Sequence, residues 1–472
     1  MRLLLIPVLF AGSALAQTPI FSGADSALVG RVLLAEDRRD STDTALRLAT
    51  AHADARIRVL AERAMGRIRD PQYAARTMLP PVAAPPVWLE PQWKGRYRAL
   101  SARSTCAELG AAIGEQFWPM VQRAATLAMP RCIADEAVLR WMRGMFVSIT
   151  PDQPLTRRDV RWSGLGGAIA IEFWAHEPGN TWHRRHVGHA LPQIRRAVAR
   201  AARTRADTAT LITLSRDTDP NVREAALDGL RSVAGHSADS IYLRAIDAPE
   251  PQVVRAAAIA LKGSPNGTAA PRALAAWERW VAKHNASARD ARVALLEVAG
   301  RTAADDRPPA INVTLPPDAV ALALGAELHI RVTLDSASSG GHFDVRLRGD
   351  VAPMMAARIA QLVRTGYYDG LTWHRVEHDF VIQGGSPTAN EYDGFAEFLR
   401  DELGTIAHPR GTVGMSTRGH DTGDAQWFVN LRDNARLLRD YTVFAEVVAG
   451  MDVVDGIFEG DRIATMRIIT GR

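Results

Sequence analysis

From its early residues to about Ala303 the chain is written in Ala, Leu and Arg at helical spacing, with few β-branched runs to divert it into strands. Within that stretch a unit returns. Asp219-Pro220-Asn221-Val222-Arg223-Glu224-Ala225-Ala226 is followed by Leu227, Gly229 and Leu230, and Pro251-Gln252-Val253-Val254-Arg255-Ala256-Ala257-Ala258 by Leu261 and Gly263. An earlier copy, Asp54-Ala55-Arg56-Ile57-Arg58, leads to Ala61, Ala64 and Gly66, and looser ones surround Arg161, Arg195 and Arg292. Several of these arginines stand about 28 to 37 residues apart, a period that suits a stacked helix pair. In each unit Asp or Pro is expected to start a helix, the small residues to let helices approach closely, and the glycine to end one.

These units resemble HEAT-type repeats, most clearly in the second half of the stretch. The resemblance implies an α-solenoid over residues 17–304 whose long concave face serves a protein partner. It gives the repeat arginines a structural duty, hydrogen bonding to neighbouring turns and acidic residues. Met78-Leu79-Pro80-Pro81-Val82-Ala83-Ala84-Pro85-Pro86 interrupts the array as an extended surface loop. Trp88, Trp93, Trp118, Trp141 and Trp174 are scattered, which is the pattern of core packing.

Met1-Arg2, the apolar stretch Leu3 to Phe10 and Ala14-Leu15-Ala16 have the order of a secretory signal peptide, residues 1–16; the alternative is an apolar helix that stays attached. The apolar stretch is too short to span a bilayer. The expectation is an exported protein, periplasmic or secreted. An oxidising compartment permits Cys106 and Cys132, the sole intrachain pair, to join; otherwise they are two buried thiols. No cysteine and histidine spacing suits zinc, and no metal or cofactor is expected. With 57 Lys and Arg against 52 Asp and Glu, the net charge of +5 is modest for 472 residues and no dense basic run occurs, so nucleic-acid binding is not expected. A chain of this length calls for at least two domains.

Asp305-Asp306-Arg307-Pro308-Pro309 and Leu315-Pro316-Pro317-Asp318 bracket a proline-rich linker, residues 305–325, expected to be semi-rigid and to hold the flanking domains at a set distance. From 326 to 472 the pattern turns to strands. Trp373 to Val376 and Phe380 to Gln383 are short β-prone runs parted by Glu377-His378-Asp379, so they read as strand, turn, strand. Alternation puts His374 and Val376 on one face and Trp373 and Arg375 on the other. With the second strand beside the first, Arg375 reaches Phe380 or Gln383. A permanently charged fork, an amide and an aromatic wall then share one small surface.

The segment Gly366 to Gly385 resembles the central active-site segment of the cyclophilins, the peptidyl-prolyl cis/trans isomerases, in their short bacterial form. The likeness extends over about the last third of the chain. His342 to Leu347 is similar to the family's opening strand, and Val351-Ala352-Pro353 opens a run through Val363 that is similar to its first capping helix. Gly411-Thr412-Val413-Gly414-Met415-Ser416, Ala425-Gln426-Trp427-Phe428-Val429, Tyr441-Thr442-Val443-Phe444 and Gly450-Met451-Asp452-Val453-Val454 follow in the family's order. The resemblance implies a closed β-barrel of about eight strands capped by two helices, with Arg375, Gln383 and Phe380 as the catalytic set. It implies a substrate surface of Val381, Ser416, Phe428, Leu437 and Tyr441, with His374 beside it, and proline-containing polypeptides as substrates. Ala425 and Trp427 depart from the usual Ser and Phe. Segment 435–440 departs further, keeping Leu437 but carrying Arg436 where many eukaryotic cyclophilins have Trp. The fold expected is therefore multidomain, an all-α HEAT-like solenoid followed by a cyclophilin-like barrel. The activity expected is prolyl isomerisation in the folding of exported proteins; the alternative is a non-catalytic module that binds proline peptides on a solenoid scaffold.

Overall fold

The computed structural model describes residues 22–70, 84–151, 153–156, 159–307 and 313–469. The signal-peptide pattern, most of the proline-rich loop at 78–86 and the centre of the expected linker lie outside the described residues.

The helical part forms as its caps dictate. Asp219 accepts from the backbone N–H groups of Asn221 and Val222, with Pro220 as first helical residue, and the helix Pro220–Val233 follows. Asp54 caps Ala55–Arg69 through the N–H of Arg56. The glycines divide: Gly263, at φ +77°, follows the helix Pro251–Leu261 as expected. Gly229 instead lies inside its helix, where a Cβ would press on Leu211, so its duty is close approach and not termination. Helices Pro192–Thr204, Pro220–Val233, Pro251–Leu261 and Arg289–Val298 stack in succession, while Thr208–Leu214, Asp239–Ala245 and Ala269–Ala282 form a second layer.

The repeat arginines fasten this stack. Arg195 donates to the carbonyls of His189 and Ala190, and Arg223 to those of Asp217 and Thr218, six and five residues back in both cases. Their other nitrogens reach acidic partners, Asp217 for Arg195 and Glu250 for Arg223. Arg58 makes the same pair of bonds, to His52 and Ala53. Arg255 and Arg161 depart from this: Arg255 pairs with Glu224 at 3.7 Å and lies 4.0 Å from the centroid of Tyr392 in the strand-rich part, and Arg161 stands over Trp141 and Trp162. Cys106 and Cys132 are joined in a disulfide, their Cα atoms 5.6 Å apart. Among the described residues no helix is long and apolar enough to cross a membrane.

Eight antiparallel strands make the second part: β1 His329–Leu334, β2 His342–Leu347, β3 Arg375–Val376, β4 Val381–Gly384, β5 Thr412–Met415, β6 Trp427–Asn430, β7 Val443–Ala449 and β8 Ile463–Ile469. Their order is β3-β4-β6-β5-β7-β2-β1-β8. Backbone bonds from Gly370 to Ile463 (2.7 Å), Ile463 to Leu371 (2.9 Å) and Trp373 to Asp461 (2.9 Å) join the ends of the sheet into a barrel, which removes its free edges. Helices Pro353–Arg364 and Met451–Asp455 pack on it. The buried Glu402 accepts from the N–H groups of Met354 and Met355, satisfying first-turn donors of the longer helix.

Packing divides the helices differently from the repeat pattern. Those from Cys106 to Val298 share one core, whereas α1 Gly23–Arg38, α2 Thr44–Thr50 and α3 Ala55–Arg69 share theirs with the barrel. Arg67 of α3 donates to Glu36 at 2.6 Å and to the barrel carbonyls of Leu403 (2.6 Å) and Val351 (3.1 Å). Residues 313–324, expected to space the two parts, pack instead: Val313, Ala319 and Leu322 are buried in that same core, because an apolar helix Ala319–Ala323 sits against α1. Trp88 also leaves the helical core for the barrel, donating to the carbonyl of Val447, while Trp93 stands between the two parts, edge-on to Phe117, Tyr97 and His378.

Candidate active site

A single row across four strands builds the site. Arg375 pairs with Gln383, Gln383 with Phe428, and Phe428 with Gly414. The period of two then sorts the side chains: Ile382, Trp427 and Val429 enter the main core, while Val381 and Phe428 form a separate small cluster with Leu437, flanked by Phe380 and Tyr441. Gly414 is required by its neighbour, since a Cβ there would run into the Phe428 ring. On either side of that ring lie His408, stacked at 6.1 Å and 18°, and Tyr441, edge-on at 5.6 Å. Burial pushes the His408 imidazole down to about 4, so a neutral ring backs the pocket.

Arg375 is fixed from three directions. Its Nε donates to Glu377 at 2.9 Å and its Nη2 bonds the same carboxylate oxygen. Nη1 lies 3.3 Å from Gln383 Oε1 and 3.1 Å from Glu391 Oε1. Gln383 is held in turn, donating to Gln426 Oε1 at 3.0 Å, and Gln426 donates to the Asp393 carbonyl at 2.7 Å. The Arg436 guanidinium stands 4.3 Å from the Phe380 centroid, a cation over the aromatic wall.

The cavity so formed brings together Arg375, Phe380, Val381, Gln383, Ser416, Phe428, Leu437 and Tyr441. His374 is the exception among the candidate residues. It lines a different cleft, between barrel and helices, beside Arg196, Asn221 and Thr388. The reason is local: β3 is only two residues long, and just before it the chain changes partner, Trp373 donating to Asp461 and His374 to Gln383. Alternation fails across that switch, so Trp373 enters the core with Val376 rather than standing beside Arg375. Burial holds the His374 imidazole down at about 4. Sequence reasoning missed Gln426, although it lies inside the motif before Trp427, and it missed His408, Glu391 and Arg418, which no motif marked.

The arrangement offers a fixed cationic donor, a fixed amide and a greasy floor. Comparison with known proteins agrees with that chemistry. Residues 329–470 match the family described as cyclophilin type peptidyl-prolyl cis-trans isomerase/CLD. Peptidyl-prolyl cis-trans isomerase B of Bacillus subtilis is 32% identical over 131 residues, 27% of this chain and 92% of that protein. A peptidyl-prolyl cis-trans isomerase of Helicobacter pylori is 34% identical over 119 residues, 24% of this chain and 73% of that protein. The match to peptidyl-prolyl cis-trans isomerase-like 2 of Rhizopus delemar, 35% identical over 119 residues, spans 24% of this chain and 22% of that protein. With a pocket of this chemistry on a closed eight-stranded sheet, and a relative matched over almost its whole length, the chain belongs to the cyclophilin-type peptidyl-prolyl cis-trans isomerases.

Proposed function

We propose that Arg375 lowers the isomerisation barrier directly, on proline-containing segments of exported proteins, with the helical array as the surface that recruits a protein partner. Rotation about a prolyl amide is slow because resonance stiffens the C–N bond, at roughly 18–20 kcal/mol. In the twisted state the nitrogen regains a lone pair, and a donor held beside it stabilises that state more than the planar ones. Arg375 supplies such a donor without titrating. Gln383 holds the neighbouring carbonyl, and Val381, Phe428 and Leu437 receive the proline ring, with Phe380 and Tyr441 at its rim. The observation that carries this reading is the row Arg375, Gln383, Phe428 facing one apolar cluster.

Arg375→Ala should lower kcat/KM on a proline peptide by about 100-fold, the usual scale for removing a transition-state donor. An unchanged rate would remove Arg375 from the mechanism. Export is supported by the leader pattern of residues 1–16 and by the Cys106–Cys132 disulfide. Mass spectrometry of the protein from its native host should find Gln17 as first residue, and an intact Met1 end in the cytoplasm would refute export. Recruitment rests on the stacked helices 192–298. Crosslinking from that face in the periplasm should capture one recurrent protein, and capture only of unfolded chains would refute a dedicated partner.

A further inference from the structure

We infer that the helical array completes the active site, through Arg418 and Glu391 acting as positioning residues for Arg375. Arg418 follows the pocket residues Ser416 and Thr417, yet its own side chain turns to the helices. Its Nε forms an ion pair with Asp290 at 2.9 Å, and its Nη2 donates to the Ser287 carbonyl at 3.0 Å. Its Nη1 donates to the Glu391 carbonyl at 2.5 Å, and the Glu391 side chain meets Arg375 Nη1 at 3.1 Å. An unbroken series of polar contacts therefore runs from the helix Arg289–Val298 to the guanidinium in the pocket.

The loop bearing Glu391 has no strand of its own to fix it, and the helices hold it at further points. Asn221 donates to the Thr388 carbonyl at 2.9 Å, Arg255 covers the Tyr392 ring, and the Ala286 N–H donates to the Ala396 carbonyl at 2.9 Å. Glu377 grips one edge of the Arg375 guanidinium, but rotation about the remaining bonds would still move Nη1. Glu391, together with Gln383 on the same nitrogen, stops that rotation, and its own place is set from the array as well as by Gln426, which holds the Asp393 carbonyl. A donor held in place by its surroundings needs no reorganisation as the prolyl nitrogen pyramidalises.

This inference rests on Arg375 being the catalytic donor, and its test separates the two. In the full chain, Asp290→Asn and Glu391→Gln should each lower kcat by about three- to ten-fold with KM changed less than about two-fold. The double variant should be no worse than the poorer single one, because both cut one series of contacts. Asp290→Glu should restore the rate. Rates within about 1.5-fold of wild type, or losses that multiply, overturn the relay. A second readout does not need turnover: 15N spectroscopy of the Arg375 side chain should show faster guanidinium rotation in Asp290→Asn, and unchanged rotation overturns the proposal. An inactive wild-type enzyme would sink the catalytic reading of Arg375, while the rotation measurement still decides the relay.

Discussion

Helices α1–α3 press buried charges against the barrel, whereas the helix Pro192–Thr204 meets it through an ion pair that water reaches. Arg67 and Glu36 are exposed by only 1% and 3%, but Arg196 and its barrel partner Glu459 by 27% and 26%. Burial holds the Arg67 guanidinium below its usual range against the pull of Glu36, while its two barrel carbonyls complete the arrangement. Such a buried set need not add net stability, yet removing one member leaves an unpaired charge in a dry place. The outer contacts are individually weak and screened. The lesson is one of division of labour. The first seam makes three helices a permanent wall of the barrel, and the second lets the array hold a loop at the pocket without being fused to it.

The sharpest way to break this comparison is Arg67→Met. It should lower unfolding free energy by about 3–5 kcal/mol in denaturant titration, and a loss under about 1 kcal/mol would make the two seams alike. A smaller effect tests a third contact, His378, which lies edge-on to Trp93 and Phe458 between the parts. Burial pushes its imidazole down to about 3, so it is neutral when folded, while the unfolded chain protonates near the ordinary value of about 6.5. Between those values the unfolded state binds the extra proton, and stability is lost as pH falls through that window. His378→Phe should therefore flatten the fall of stability with acid, by up to about 1.4 kcal/mol per pH unit relative to wild type. Equal slopes would mean the ring is solvated. Least of all, Arg196→Ala should cost at most about 1 kcal/mol, and less in high salt; a salt-independent loss would place that pair in the buried class.

The pocket was legible in the sequence because its main parts lie close along the chain. Arg375 and Gln383 are eight positions apart across one tight turn, and two strands suffice to pair them. Phe428, Ser416, Leu437 and Tyr441 needed the family's motif order as well. Trp373 and His374 were misplaced because alternation assumes a regular strand, and the chain changes partner there. Nothing local announces that Arg58 and Arg223, alike in their turn contacts, belong to helices facing different neighbours. Arg67 finds Leu403 at a separation of 336 residues, and Arg418 finds Ser287 at 131, distances over which periodicity carries no information. The same blindness hid Glu391, whose position depends on groups in the array.

Synthesis runs in one direction, and that separation of 336 residues has a consequence on the ribosome. At roughly 5–20 residues per second, α3 emerges some 15–70 seconds before Leu403 has been made. For that interval Val29, Leu33, Ile57 and Leu60 lack the wall that covers them, and Arg67 has no carbonyl to bond. Until its last strands arrive, the protein carries its first helices with an apolar face that nothing of its own yet covers.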